Sequence, residues 1–267
     1  MEGVMNMENN NVAITPKVDR AIVSVSGGLD STACLFHAVH IWGVQNVVAM
    51  SFAYGQRHSK ETERARDICR KLGVTHEIQN VSMLFFGFGN QSSLSEASEI
   101  TVTQNKEYKD IDVPNEYVPN RNGTFTNLLT LAGMIMFPKE TIAVVMGMHQ
   151  DDTRAAYPDC SLEFATATRE SIFRGTAGKA RLYTPLINLH KSDVVKFGMQ
   201  YGMTLEDFDE TWSCYKGDEK QCGKCPTCID RIKALLKAGV YRTVDDITSR
   251  YDISDSEAKK FFDTIAY

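Results

Sequence analysis

Residues 24–32, Ser-Val-Ser-Gly-Gly-Leu-Asp-Ser-Thr, carry the strongest chemical signal in this chain. They follow an apolar run, Ala21 to Val25, that is typical of a buried parallel strand, and they precede a helical pattern. A strand, a glycine turn and a helix N-terminus form an anion site, because backbone N–H groups and the positive end of the helix dipole converge there. Gly27 and Gly28 allow left-handed backbone angles and a close approach to a phosphate. The pattern therefore predicts a phosphate-binding loop.

Asp30 is unusual in such a loop, since its carboxylate would lie near phosphate oxygens of the same charge. Two explanations fit the sequence: Asp30 caps the helix, or it meets a metal ion that the nucleotide carries. A glycine turn with an Asp or Ser helix cap and no ligand at all is the alternative for the whole stretch.

The C-terminal third contains a second signal, the cluster Cys214, Cys222, Cys225 and Cys228. A Cys-x-x-Cys turn brings two thiolates within reach of one tetrahedral ion, and four thiolates with no open position predict a structural Zn²⁺ site. A redox Cys-x-x-Cys pair and an iron–sulfur cluster remain as alternatives.

The overall composition excludes several classes of protein. The 267 residues have a formal net charge of −5, with 43% hydrophobic and 24% charged residues, which is ordinary for a globular chain. The acidic balance argues against a broad nucleic-acid surface. Apolar runs stay well short of the ~20 residues of a membrane span. The N-terminal stretch is polar, and seven unevenly spaced cysteines do not suit a secreted disulfide framework. We therefore expect a cytoplasmic protein that binds neither nucleic acid nor membrane.

Apolar strands alternate with amphipathic helices along the chain. The pattern predicts strands at 47–53, 74–78 and 141–148, helices from about 59 to 72 and from 126 to 137, and a long irregular excursion at 82–115. Such alternation predicts an α/β fold, a Rossmann-like parallel sheet with helices on both faces, plus a small zinc knuckle. Ligands of these sheets bind beyond the carboxyl ends of the strands, where the polar clusters lie.

Composition and pattern divide the chain into four parts. We expect a flexible N-terminal tail at 1–17, an α/β domain with the phosphate-binding loop at 18–205, a four-cysteine zinc-binding module at 206–238 and a small helical extension at 239–267. Within the extension, Ser254-Asp-Ser-Glu257 predicts a capping box that opens a helix.

The loop resembles the SGGxDS signature of the PP-loop ATP pyrophosphatases, and the chain as a whole resembles the 7-cyano-7-deazaguanine synthases. Further segments match that family in order between about Ala21 and Arg231. The segment at 54–58 is similar to its YGQRH, the segment at 117–122 to its VPGRN, the segment at 157–160 to its YPDC and the segment at 184–186 to its TPL. Lys191 follows, and Thr211-Trp-Ser-Cys214 opens the cysteine knuckle.

The resemblance implies an ATP-dependent carbon–nitrogen ligase. Such an enzyme adenylates the carboxylate of 7-carboxy-7-deazaguanine, lets ammonia displace AMP to give the amide, and activates the amide again to give the nitrile. It implies ATP, Mg²⁺ and Zn²⁺ as cofactors and a homodimer as the assembly. A carboxylate is inert to amines until its oxygen becomes a good leaving group, which is the physical reason for adenylation.

With that chemistry in view, the residues receive roles. Arg121, Lys191 and Asp30 are the catalytic candidates. Arg121 and Lys191 are cations that stabilise phosphate and carboxylate charge, and Asp30 is the carboxylate that would meet the metal ion carried by the nucleotide. The metal ligands are the four cysteines already named. ATP is expected on Val25, Ser26, Gly27, Gly28, Leu29, Asp30, Ser31, Thr32, Ala33, Cys34 and Leu35. The acid substrate is expected on Tyr54, Gln56, Arg57, Arg121, Asn122, Tyr157 and Asp159.

Some features depart from the family pattern. Asn120 stands where VPGRN has glycine, and Gly123-Thr124 follows Asn122. These changes surround the expected substrate pocket, so a relative that passes the activated acid to another amine, even one on a protein, is an alternative. A PP-loop tRNA thiolase and a non-catalytic nucleotide-binding module are two further alternatives. Asp151-Asp152 is either a helix cap or a ligand for a base or Mg²⁺.

Overall fold

The chain forms a single parallel sheet covered by helices. The computed structural model describes residues 15–54, 60–86, 117–149, 151–152, 157–214 and 219–265. The sheet has five strands in the order β3-β2-β1-β4-β5, and every neighbouring pair is parallel. The strands are β1 Arg20–Ser24, β2 Val47–Ala53, β3 Thr75–Asn80, β4 Ile142–Val145 and β5 Ala180–Tyr183. The expected α/β class with a parallel sheet is confirmed.

Ten α-helices lie in the described part of the chain. They are α1 Leu29–Trp42, α2 Lys60–Leu72, α3 Ser82–Phe86, α4 Arg121–Met136, α5 Leu162–Gly175, α6 Lys191–Gln200, α7 Leu205–Glu210, α8 Pro226–Lys237, α9 Val244–Thr248 and α10 Asp255–Ile265. Single 3₁₀ turns at Val44–Asn46 and Pro158–Cys160 connect the elements around them. Within these residues, no helix is both long enough and apolar enough to cross a bilayer.

The burial of each strand explains how well the sequence pattern predicted it. The central strands β1 and β4 are almost wholly buried, so they read as continuous apolar runs. Strand β3 lies at the sheet edge and is mostly exposed, and its bounds differ from the expected 74–78. Helix α4 begins at Arg121 rather than at Thr126, since the polar residues of its first turn mask the helical period. Strand β4 ends at Val145 rather than at Met148, which leaves 146–149 as a loop at the carboxyl edge.

The strand order changes direction between β1 and β4. Strand β2 follows β1 on one side of the sheet, whereas β4 pairs with β1 on the other side. In open parallel sheets the crevice outside this switch point is the usual ligand site. The loop at 25–28 and the loop at 146–149 therefore meet at the position where a ligand is expected.

The C-terminal helices pack into the same core as the cysteine cluster. Ile247 and Tyr251 are buried together with Cys222 and Ile232. Backbone bonds join Gln221 to this segment, as Gln221 N–H donates to Arg250 and Asp252 N–H donates to Gln221. The expected capping box is present at the start of α10: the Ser254 N–H donates to the Glu257 carboxylate, and the Glu257 N–H donates to Ser254 Oγ.

Candidate active site

The side chains of Ser26 and Ser31 form hydrogen bonds with the backbone of the loop after β1. Ser31 Oγ accepts from the Ser26 N–H at 3.1 Å and donates to the Gly28 carbonyl at 3.1 Å. Ser26 Oγ accepts from the Gly28 N–H at 3.2 Å, and the Ser26 side chain is exposed. Helix α1 begins at Leu29, and the first N–H groups of a helix have no partner inside that helix. The arrangement presents neutral donors to an anion at the mouth of the sheet.

Only one of the two loop glycines has the backbone angle expected of both. Gly27 has φ +90°, and a Cβ there would lie 2.1 Å from the Glu61 carbonyl oxygen, so no other residue fits without moving α2. Gly28 has φ −79° and ψ 167° and is the extended N-cap of α1. The expectation of left-handed angles is therefore wrong for Gly28, because that residue ends the loop as a normal helix cap.

Asp30 does not cap α1 and instead pairs with Lys191, the first residue of the helix that follows the edge strand β5. Lys191 Nζ lies 2.5 Å from Asp30 Oδ2 and 3.3 Å from His149 Nε2. His149 Nε2 lies 3.6 Å from Asp30 Oδ1. The cap position belongs to Gly28, which makes no side-chain cap bond, so the capping explanation for Asp30 is wrong. Three charged or chargeable groups instead meet at the switch point.

The electrostatics of this trio stabilise charges of opposite sign. Burial alone would raise the pKa of Asp30, but Lys191 and His149 together lower it below its ordinary value. Burial and the Lys191 charge would lower the pKa of His149, but the Asp30 and Asp152 carboxylates together outweigh them and raise that pKa. His149 Nε2 also lies 3.3 Å from Asp152 Oδ1. The site therefore holds an ionised carboxylate beside a cation at neutral pH.

Asp151 positions the lysine that pairs with Asp30. One Asp151 oxygen accepts from the Lys191 backbone N–H at 2.7 Å, and the other lies 2.8 Å from His190 Nδ1. These bonds fix the first turn of α6, whose N-cap is His190. Asp151 thus anchors the start of a helix that is distant in sequence.

A single cavity of about 1080 Å³ connects the loop with an aromatic and basic wall. On that wall, Arg121 Nη1 lies 3.2 Å from Tyr54 Oη, and the guanidinium sits 5.8 Å from the Tyr54 ring centre. Tyr157 and Asn122 also line the cavity, and so do the loop residues Val25, Ser26, Gly28, Asp30 and Ser31. The volume lies at the upper end of the range for ligand pockets, about 300–1,000 Å³. Two adjoining ligands fit such a space.

Several residues expected in the site lie beside it. Asp159 is buried and does not line the cavity, because its carboxylate accepts from the Asn122 N–H at 2.9 Å at the start of α4. The α1 residues Leu29, Thr32, Ala33, Cys34 and Leu35 are buried beneath the loop. Gln56 and Arg57 lie outside the described residues. The roles expected of all these residues stay predictions.

The Asn120 substitution has a conformational explanation. Asn120 has φ 53° and ψ 30°, the left-handed region in which glycine is favoured and asparagine is the best-tolerated alternative. A Cβ on Gly123 would lie 2.2 Å from Asn120 Oδ1, so Gly123 leaves room for the Asn120 side chain. The two departures from the family pattern thus lie against each other in one turn, and asparagine suits its left-handed backbone angles.

Glu61 lines the cavity and was not among the site residues predicted from the sequence. It lies in the first turn of α2 and lines the cavity. Burial raises the pKa of Glu61 to about 7, and the Arg121 charge only partly offsets this effect. Its position one helix away from the glycine loop, in an otherwise charged surface helix, gave no pattern by which to identify it.

The four cysteines form a metal-binding set. Their sulfur atoms all lie within 4.8 Å of one another, and three of the four side chains are buried. A tetrahedral Zn²⁺ with Zn–S bonds of about 2.3 Å needs sulfurs less than about 4 Å apart, so small adjustments suffice. The donor set fits Zn²⁺ as a closed site. Cys214 also lines the cavity, so the knuckle adjoins the phosphate loop.

Comparison with known proteins gives one family. The model of the family "Queuosine biosynthesis protein QueC" matches residues 20–239. A 7-cyano-7-deazaguanine synthase from Caldicellulosiruptor saccharolyticus is 39% identical over 221 residues, which are 83% of this chain and 92% of that protein. One from Thermoplasma acidophilum is 34% identical, covering 82% of this chain and 89% of that protein. The NH3-dependent NAD synthetase from Campylobacter jejuni is similar in structure, with TM-score 0.41, 13% identity and coverage of 94% and 86%.

Proposed function

The chain belongs to the QueC family of queuosine biosynthesis proteins, and on that premise we propose that it is an ATP-dependent ligase acting on 7-carboxy-7-deazaguanine. It joins the activated acid to ammonia and then converts the amide to 7-cyano-7-deazaguanine. The observation that supports this most strongly is the meeting of the glycine loop, the Asp30–Lys191 pair and the Arg121 wall in one cavity. A phosphate site and a flat aromatic, basic site must adjoin for a nucleotide and a purine-like acid to react.

The first step forms an acyl-adenylate. A carboxylate oxygen of the acid attacks the α-phosphorus of ATP, and the bond to the bridging oxygen breaks to release pyrophosphate. Lys191 contacts Asp30 in the first turn of α1, and it can exchange this contact for the phosphate oxygens as their charge develops. Arg121 holds the acid by bidentate hydrogen bonds, and Tyr54 and Tyr157 offer faces for its ring.

The second step needs an unprotonated amine. Ammonia attacks the acyl carbon, and AMP leaves with the electron pair of the carbon–oxygen bond to give the amide. Ammonium must first lose a proton, and Glu61 is the carboxylate with a pKa matched to that transfer near neutral pH. The amide oxygen then attacks the α-phosphorus of a second ATP and pyrophosphate leaves. The two N–H protons of the amide go to solvent as AMP departs with the oxygen, which leaves the carbon–nitrogen triple bond of the nitrile.

The cofactors follow from the same assignment. Mg²⁺, when bound together with ATP, would compensate the charge of the phosphates, and Asp30 is the carboxylate beside the loop that would help to hold it. Zn²⁺, when bound to the four cysteines, holds the knuckle together and has no open position for substrate. We also propose a homodimer as the assembly.

The test is to incubate the protein with 7-carboxy-7-deazaguanine, ATP and Mg²⁺, with ammonium as the only amine, and to identify the base by mass spectrometry. We expect the nitrile, with AMP and pyrophosphate released. Labelled oxygen in the acid should appear in AMP. If the reaction with ammonium stops at the acyl-adenylate, and an amide forms only when another amine is supplied, that amine is the acceptor. Pyrophosphate release without any dependence on the acid would refute the proposal.

The Asn120 turn gives no support to a different acceptor. Asn120 and Gly123 together keep the backbone conformation that a glycine at position 120 would adopt. The departure therefore leaves the Arg121 wall in place, and ammonia stays the proposed amine.

A further inference from the structure

Helix α8 forms part of the wall of the nucleotide cavity. Its residues Pro226, Thr227, Asp230, Lys233, Ala234 and Lys237 line the same space as the loop residues Ser26 and Ser31. Residues three and four apart share one face of a helix, so this is a continuous stripe. Two of its members are lysines one turn apart.

These lysines differ from the other cations of the cavity. Lys191 is paired with Asp30, and Arg121 donates to Tyr54. Lys233 is partly buried and Lys237 is exposed, and neither forms an ion pair or a side-chain hydrogen bond with another described residue. Asp230 is the carboxylate on the same stripe. The α8 lysines are therefore cations whose charge is left for a ligand.

The helix is fixed relative to the phosphate loop. Its N-cap is Cys225 and its first turn contains Cys228, both members of the metal-binding set. On the same module, the Trp212 N–H donates to the Gly27 carbonyl at 2.9 Å, and Thr227 Oγ1 donates to the Ser213 carbonyl at 2.7 Å. The knuckle thus joins the loop and the lysine stripe in one rigid arrangement.

We propose that Lys233, with Lys237 in support, binds the pyrophosphate portion of ATP and the inorganic pyrophosphate that it becomes. This inference rests on the proposed adenylation. Residues 24–28 of the loop carry no cationic side chain, so the terminal phosphates need cations from elsewhere. Lys191 is assigned to the α-phosphate and Arg121 to the acid. The lysines of α8 are therefore the cations of the described cavity wall that remain for the terminal phosphates.

The test measures direct binding of inorganic pyrophosphate, and separately of AMP, to the zinc-loaded protein by calorimetry with Mg²⁺ present. Lys233→Met removes the charge and keeps the stem length, and Lys233→Arg keeps the charge. The matched control is Lys224→Met, because Lys224 lies just before α8, pairs with Glu257 at 3.2 Å and does not line the cavity. We expect pyrophosphate affinity to fall about tenfold in Lys233→Met, the size of one charge-assisted hydrogen bond.

Binding of AMP should stay within about twofold of wild type, and Lys237→Met should show a smaller loss of pyrophosphate affinity. Lys233→Arg should retain most of the affinity. Unchanged pyrophosphate binding in Lys233→Met, or an equal loss for AMP and pyrophosphate, would overturn the inference. Failure of wild type to bind pyrophosphate would do the same. If only the lysine variants lose pyrophosphate but the acid never stimulates AMP release, the proposed function fails and the pyrophosphate site stands.

Discussion

Two buried charged regions of this molecule are built in opposite ways. Beneath the knuckle, the fully buried Arg231 donates to Tyr251 Oη at 2.9 Å, to Thr211 Oγ1 at 2.6 Å and to the Phe208 carbonyl. At the switch point, Asp30 and His149 each keep one buried polar atom without a hydrogen-bond partner in the described structure. The first region satisfies its charge completely, and the second leaves donors and acceptors open toward a cavity.

The contrast teaches how to separate structural from chemical charge. A buried cation whose donors all meet neutral oxygens is held in one geometry and has nothing left for a ligand. An ion pair at a cavity mouth can exchange partners as a substrate arrives. Substitutions in the two regions should therefore affect different measurements.

The largest effect is expected where the charge is fully satisfied. Arg231→Met removes three buried hydrogen bonds of a charged group, so the free energy of unfolding should fall by about 3–5 kcal/mol. Urea unfolding measures it. Arg174→Met is the matched control, because Arg174 forms an exposed pair with Glu170 and should cost at most about 0.5 kcal/mol. Equal, small losses in both variants would remove the distinction between the regions.

Lys191→Met should show the reverse pattern. We expect turnover to fall about 100- to 1,000-fold, as for loss of one preorganised charge donor, with little change in thermal stability. Lys196→Met on the same helix, where Lys196 is exposed and pairs with Asp193, is the control and should be nearly normal. Product formation and a thermal melt of each variant check this. Near-normal turnover of Lys191→Met would take that lysine out of the reaction.

Glu61→Gln tests the proposed base through the pH dependence of amide formation. The pKa of Glu61 is about 7, and a base must be deprotonated, so wild-type amide formation should decline as pH falls through that value. The glutamine variant should be slower by about tenfold or more above pH 7 and should lose this limb of the profile. Rates are compared at a fixed concentration of ammonium, the species that Glu61 is proposed to deprotonate. An unchanged acidic limb in the variant would assign it to another group.

The smallest effect concerns the Asn120 turn. Gly123→Ala places a methyl group against Asn120 Oδ1 and should destabilise the protein by about 1 kcal/mol. In an Asn120→Gly background the same change should cost less, since alanine is then the better helix former. A double-mutant cycle of unfolding free energies measures the coupling. Strict additivity would show that the two departures are independent.

Much of the scaffold could be predicted from the sequence. The apolar runs of β1 and β2, the glycine loop and the Cys-x-x-Cys spacing are local patterns, and each appears where it was expected. The predicted start of α4 and the predicted bounds of the edge strand β3 were wrong, because a polar first turn and an exposed strand lack a strong hydrophobic period. Glu61 was missed for a similar reason.

The partners within the site were beyond local patterns. Lys191 was predicted as a catalytic cation and Asp30 as a cap or metal ligand, but their ion pair joins residues 161 positions apart. Asp159 was expected at the substrate and instead bonds the first turn of α4. Which side chain meets which depended on how the strands are ordered.

By itself, the sequence determined the elements and the types of chemistry, since strand burial, glycine turns and thiolate spacing are written in neighbouring residues. The tertiary structure decided the assembly of those parts. Packing β4 against β1 brought His149 and Lys191 to Asp30, and folding the knuckle against the loop brought α8 to the cavity. Contacts between distant segments depend on the whole core, so no local pattern encodes them.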